Sequence, residues 1–525
     1  MGNQRLFDET MQMPQSPHPM RLLRILLALI SAGSVALGQT NATSPARPLS
    51  LQDCIQLALQ HNLDLQIDRY NPQISQFNLQ ADYGAYDPTF NLSGQHDHNE
   101  AGSQLLGGGF IIPGSVSDDN SFNGGLNGAL PSGATYSLQA NARDQYGHSF
   151  VLLPNGTLVQ SPFENSGASA SITASQPLLR NFLIDNNRLI IHISKNRLKY
   201  SEVQLKLQIM QTITLLEQAY YELIYNRENL NVQQKAVELA ERLVMENRKR
   251  LEVGALAPLD LQSAEAQAAS SRAAVIAATS QLGTQERLVK SLITDAYSSE
   301  WANVTLEPVG KLTAPAPVLN LQDSWAKGLA QRPELLQAKL DVERLGIQLK
   351  YDKNQLWPEL DVFGTYGFNG SGKEFSGALG DLQGTDRPFY TYGGRISVPL
   401  SNAKARNVYK ADKANMQQVV LTLKQLEQNT LILIDNDIGT IRANFDQVQA
   451  TRAAREYEEA ALDAEQKKLE SGKSTTYTVL QVQRDLTTAR GNEIQALDTY
   501  NKSLTQLSLH EGSTLDRLQI RLESK

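Results

Sequence analysis

The chain is written twice, and that constrains its fold more than anything else in it. Leu51-Gln52-Asp53 recurs as Leu321-Gln322-Asp323, 270 residues later. Carried on without a gap, the same offset pairs Leu59 with Leu329, Leu65 with Leu335, Leu79 with Leu349 and Asp82 with Asp352. It also pairs Pro88 with Pro358 and Gly94 with Gly364. Further on, Lys249-Arg250-Leu251-Glu252-Val253-Gly254 matches Lys467-Lys468-Leu469-Glu470-Ser471-Gly472. So long a period implies duplication of a whole assembly, not a solenoid array. Each copy reads in one order: helix, strands ending in proline (Gln176-Pro177, Val398-Pro399), a very long helix, a glycine turn and a helix back.

The long helices announce themselves by periodicity. From Ile209 every seventh residue is apolar: Leu216, Leu223, Leu230, Val237, Val244, Leu251. A seven-residue repeat held that far implies packing along a supercoiled seam. Residues 188–252 contain neither proline nor glycine. At 1.5 Å per residue such a helix is roughly 100 Å long. The second copy repeats this over about 403–470, where Leu431, Ile434, Ile438, Ile441, Phe445 and Val448 alternate three- and four-residue steps. Gly254 and Gly472 are the expected C-caps, and Pro258 the expected first residue of the return helix. That return helix is rich in alanine, which lets helices approach closely.

Residues 88–177 change character. Phe90 and Leu92, then Phe122, Leu126 and Leu130, then Tyr136 and Leu138 alternate with small or polar residues, the period of strands with one apolar face. Long stretches at 99–120 and 147–164 flank the tight Pro131-Ser132-Gly133 turn. Short turns on one side and long loops on the other are the pattern of outer-membrane barrels. The second copy has one hairpin, about 358–369 and 389–399, joined by a Gly-rich loop. Tyr366, Phe368, Phe389, Tyr390 and Tyr392 fit an interfacial aromatic girdle or cross-strand packing, the girdle being preferred.

Residues 1–38 read as a signal peptide: Arg21 and Arg24 flank the short apolar run from Ile25, and Ala36-Leu37-Gly38 offers a cleavage site. Met20 is a candidate true start. A net charge of −7 without a basic patch argues against nucleic acid. No nucleophile elbow, P-loop or zinc-protease motif is present, so neither enzyme activity nor a cofactor is expected. His96 and His98 share one strand face. Imidazole beside Glu100 could ligate zinc or copper, but a solvated strand end is the preferred reading and no metal is assigned.

A 100 Å helical hairpin cannot form its own core, and four or six strands cannot close a barrel in lipid. Both problems vanish if several chains assemble round an axis. The chain resembles the TolC-type outer-membrane efflux proteins over nearly its whole mature length. The resemblance rests on the two copies, on Gln176-Pro177-Leu178 and Val398-Pro399-Leu400, and on the glycine turns with Asp260 and Leu480 beyond them. It implies an internally duplicated α+β membrane protein: a homotrimer with an outer-membrane β-barrel, a long periplasmic α-helical barrel and a small mixed equatorial region. It further implies outer-membrane lipid, a periplasmic adaptor and an inner-membrane proton-driven or ABC transporter as partners. The whole would be the passive exit duct of a tripartite efflux pump or type I secretion system. The first copy spans 39–310, with strands 88–177 and hairpin 185–298. The second spans 311–511, with strands 358–399 and hairpin 402–510. Residues 512–525 form a polar, poorly ordered tail.

The family's acidic gate ring would fall at Thr478 and Gln481, so that ring is absent here, whereas Asp260 matches the family's aspartate. Relatives carry two strands per copy, and the first copy here has four. If the middle pair (about 121–144) packs outside the barrel, a trimer keeps twelve strands; if it joins, there are eighteen. Twelve is the expectation. The alternatives are a periplasmic coiled-coil adaptor or structural protein, and a metal-specific duct using His96 and His98.

Overall fold

A computed structural model describes residues 46–106, 110–154 and 156–521. The expected signal peptide lies outside them. Among the described residues no helix is long and apolar enough to cross a membrane.

The described residues open with β1 (Ala46–Leu49), then α1 (Leu51–His61), α2 (Leu63–Asp68) and α3 (Tyr70–Tyr83). Ser50 caps α1 through a reciprocal capping box with Asp53. Strands β2 (Thr89–Glu100), β3 (Gln104–Leu106), β4 (Phe110–Ile112), β5 (Val116–Ala129), β6 (Thr135–Leu152) and β7 (Leu158–Pro177) follow. Next come α4 (Asn186–Glu252), α5 (Pro258–Ile293), α6 (Ser299–Asn303), β8 (Thr305–Pro308), α7 (Leu321–Gln331) and α8 (Pro333–Asn354). The chain closes with β9 (Glu359–Gly372), α9 (Phe375–Gly384), β10 (Pro388–Ser397), α10 (Ala403–Glu470), α11 (Thr476–His510) and α12 (Thr514–Arg517).

Six strands make one antiparallel sheet in the order β10-β9-β7-β6-β5-β2. The expectation that the middle pair packs outside is therefore wrong: β5 and β6 sit inside the sheet, between β2 and β7. Their turn is fastened to the strand-to-helix corner that leads into α4. Leu183 N donates to Ser132 O (3.2 Å), Gln176 Nε2 donates to the same carbonyl (3.2 Å), and Arg188 of α4 donates to Pro131 O (3.2 Å). Gly133 sits at φ 85°, with Asn181 O where a Cβ would go.

The long loops are shorter than their composition suggests. The expected loop over 147–164 reduces to residues 153–157, because β6 and β7 stay paired out to Leu152 and Leu158. The expected Gly-rich loop of the second hairpin contains α9, whose Phe375, Ala378 and Leu382 recur at helical spacing. Gly370 and Gly372 let it lie on the sheet: a Cβ at either would strike the backbone of α9.

Near the sheet the helices line up as α3, α4, α8, α10; farther away they line up as α5, α4, α11, α10. A small mixed region surrounds the middle of α4. There β1 pairs in parallel with β8, and Leu49, Ile55, Leu65, Ile213, Leu216, Leu223, Ile293 and Leu306 share one core. The supposed loose tail belongs to this core over 512–521: Thr514 and Leu515 are buried, and Arg517 pairs with the buried Glu217. Ile209, Leu216 and Leu223 are buried as the heptad requires, but the seam then moves to Val232, Ala240, Leu243 and Asn247. A straight helix drifts about 20° per heptad against a seven-residue repeat, which explains the slip.

Candidate functional site: a two-faced wall and two helical tips

Alternate residues of the sheet point to opposite faces. Even-numbered positions carry Phe90 and Leu92 on β2, Phe122 and Leu126 on β5, and Leu138 and Ala140 on β6. They continue with Ala170 and Ile172 on β7, Tyr366 and Phe368 on β9, and Tyr390 and Tyr392 on β10. Most of these lie bare in the single chain; Tyr392 is 82% exposed. Odd-numbered positions carry Asn91, Ser93, Gln95, Asp119, Ser121, Asn123, Asn141, Arg143, Ser169 and Thr173. Cross-strand bonds tie this second face together: Thr173 to Thr365 at 2.9 Å, Gln145 to Ser117 at 3.2 Å, and Arg143 to Asp119. One face suits hydrocarbon and the other suits water, as in a barrel with an aqueous bore.

Along the apolar face, Tyr366 meets Phe368 edge-on at 5.4 Å and Tyr390 stacks on Tyr392 at 6.4 Å. Tyr366 and Tyr390 are register partners, so these four aromatics form a belt. Phe389 does not belong to it: its ring lies over Gly367 on the polar face. Above the apolar band the same face turns polar. His98 Nδ1 lies 2.6 Å from Asp118 Oδ1, His96 Nε2 lies 3.7 Å from that oxygen, and His96 Nδ1 lies 2.8 Å from Asn120 Oδ1. Among the described residues no three His, Cys, Asp or Glu side chains are grouped as a metal site would need.

At the other end of the molecule each long helix ends on a left-handed glycine. Gly254 and Gly472 both have φ 72°. In the first turn Gly254 N bonds Leu251 O (2.9 Å) and Ala255 N bonds Arg250 O (2.8 Å). In the second Gly472 N bonds Leu469 O (3.2 Å) and Lys473 N bonds Lys468 O (2.8 Å). These paired bonds satisfy carbonyls that a helix end leaves free. Pro258 opens α5, with Asp260 in its first turn. Arg250 donates to Leu469 O (3.4 Å) and so joins the two tips. Thr478 serves the α11 cap, with its hydroxyl 2.9 Å from that of Thr475. Gln481 is held by Asp485 (3.1 Å) and Arg484 (2.7 Å) one turn farther on. Asp485 and Arg484 escape a motif reading that stops at Gln481, although the four-residue spacing from Gln481 to Asp485 is the available signal. Val253, Leu259 and Tyr477 leave apolar side chains bare at the tips.

The sequence profile of the family described as Outer membrane efflux protein matches residues 326–513. No curated protein matches the chain's sequence. Solved structures do match. The outer-membrane channel OprN superposes with a TM-score of 0.64 at 14% identity, covering 88% of this chain and 90% of that one. The outer membrane protein VceC of Vibrio cholerae gives 0.63 at 16%, covering 88% and 96%. The CmeC outer membrane channel of Campylobacter jejuni gives 0.59 at 17%, covering 88% and 86%. At such identities these structures speak for the fold alone, and the family profile speaks for residues 326–513. Residues 326–513 thus match the outer-membrane efflux protein family, and the described chain shares the fold of solved outer-membrane channels.

Proposed function

We propose that three copies of the chain form a passive exit duct. It would receive substrate from an inner-membrane transporter through a periplasmic adaptor that docks at the tips around Gly254 and Gly472. The observation that carries this reading is the incompleteness of a single chain. Its sheet has an apolar face, a polar face and two bare edges. The helix at one flank, α3, has no buried residue. Ile67, Tyr70, Ile74 and Phe77 form a bare stripe at three- and four-residue steps along α2 and α3. Such a stripe is the seam of a helix–helix contact, and a second copy supplies it.

The chain carries no energy-coupling motif, so flow follows the gradient the transporter makes. The two halves of the duct wall read as duplicated copies, supported by long helices of 67 and 68 residues that end on glycines of the same φ. Asp260, Thr478 and Gln481 lie at the tips, where a closed duct would be narrowest. The test is light scattering in detergent together with planar-bilayer recording. A trimer with ohmic single-channel steps is expected; a stable folded monomer that conducts nothing would overturn the reading.

A further inference from the structure

The middle hairpin β5–β6 has no counterpart in the second half of the sheet. It is nonetheless part of the wall. It pairs on both sides, with β2 over 12 residues and with β7 over 18, and its turn is hydrogen-bonded to the corner beneath it. Its faces obey the alternation of the other strands, with Leu126 and Leu138 on the apolar side and Asn123 and Asn141 on the polar side. What remains unpaired are the outer edges of β2 and β10. Along β2 on the order of a dozen backbone N–H and C=O groups face outward, and each costs several kcal/mol if left bare in lipid.

We infer that this hairpin widens the exit: β2 of one copy pairs antiparallel with β10 of the next, and three six-stranded sheets close an eighteen-stranded barrel. The inference rests on the trimeric duct reading and adds the strand number and the pairing. Strand sense fits, since β2 leads away from the helices and β10 returns to them. Each edge also continues into a helix flank. α3 runs into β2, and β10 runs into α10, whose stretch 403–429 contains no buried residue. One seam therefore serves sheet and helices together. Barrel diameter grows roughly with strand number, so this exit is about half as wide again as a twelve-stranded one. Barrels of about that strand number leave an aqueous channel, which suits a lining of Ser, Asn and Gln.

The test is cysteine cross-linking in the full chain. Asn91→Cys, Ser93→Cys or Gln95→Cys on β2 would each be combined with Thr391→Cys on β10, all on the polar face. Neighbouring antiparallel positions lie within disulfide reach. Cys54 does not compete, because it is 1% exposed and burial pushes its thiol up to about 12. The expected result is a covalent trimer on denaturing gels for at least one pair and none for the single variants. As a control, Ser93→Cys would be combined with Ser171→Cys on β7. Two strands separate these positions, so they sit roughly 14 Å apart and should not link. A β2–β7 link within one chain, or a trimer in which no β2 position links to β10, would overturn the eighteen-stranded barrel and leave the duct intact. Loss of the trimer in light scattering of the unmodified chain would overturn the duct reading itself. Labelling gives a second check. Pro131→Cys should react with an impermeant reagent only after the outer membrane is permeabilised, whereas Pro154→Cys reacts on whole cells. Labelling of Pro131→Cys on whole cells would also overturn the proposal.

Discussion

The two long helices are almost the same length and end on the same turn, yet they are buried very differently. Of the 67 residues of α4, 20 are buried; of the 68 of α10, only eight are, and none before Thr430. The difference is one of place. α4 has a neighbour on both flanks along its whole course: α3 and α8 near the sheet, α5 and α11 farther down. α10 has neighbours on one flank only. Matching helices thus do different work, one as the spine of a single chain and the other as its margin.

The strongest way to break this comparison is to place a charge on each side of it. Leu223 on α4 is 1% exposed within the central core. Leu223→Lys should cost about 3–5 kcal/mol, through the lost packing and an unpaired buried ammonium, and abolish folded protein. Phe77→Asp lies on the bare stripe of α3 that faces the margin. It should leave the helical circular dichroism intact and remove the trimer. If the α3 variant stays trimeric, or the α4 variant folds, the assignment of spine and margin is wrong.

This contrast also marks how much was legible in the sequence. The long helices, both glycine turns and the alternating strands could be read, because local periodicity and capping chemistry write them directly. The six-stranded sheet was half legible. Period two marks β5 and β6 as strands, but nothing local says whether a hairpin pairs within a sheet or beside it. The bonds that decide it run from Ser132 to Gln176 and from Pro131 to Arg188, across 44 and 57 residues. α9 was hidden by Gly377, Gly380 and Gly384, which read as loop. The partnership of β8 with β1 is a long-range pairing that no local pattern carries.

The tips sharpen the comparison at the functional end. Six residues beyond its glycine the first hairpin has Asp260, whereas the second has Thr478, which is used as part of a cap. With Gln481 next along, the second tip adds no carboxylate ring of its own at these positions. A trivalent cation added on the periplasmic side should therefore block single-channel current poorly. Thr478→Asp combined with Gln481→Asp should strengthen block by at least about tenfold, since like-charged rings in a narrow throat concentrate cations. Strong block of the unmodified channel would assign the constriction to Asp260 or Asp485 instead.

A smaller effect tests the margin helix near the sheet. Asp352 of α8 is buried, and burial first, then Asp412 of α10, raises its carboxyl to about 6. Gln348 holds one oxygen at 3.0 Å. A carboxyl raised in the folded state binds its proton more tightly there than in the unfolded chain. Stability therefore falls as pH rises from about 4 through about 6, and stays lower above that. Asp352→Asn removes the loss. The variant should melt higher than the parent at pH 7.5, with the gap closing towards pH 4. A gap independent of pH would mean that the Asp352 carboxyl is not raised in the folded state.

The smallest expected effect asks whether the two hairpins are as alike at their turns as they are unlike along their flanks. Gly254 and Gly472 share φ 72°, and at both a Cβ would meet nothing within 4 Å. A substitution there is opposed by backbone strain alone, not by crowding. Alanine in the left-handed region costs about 1 kcal/mol. Gly254→Ala and Gly472→Ala should thus each lower stability by about that amount, and the double variant by the sum, because side chains without contacts do not couple. Urea unfolding of the trimer in detergent reads all three. Unequal single effects would show that one tip is held by something beyond its own chain, and the tip with the larger loss would be the one gripped by a neighbouring copy.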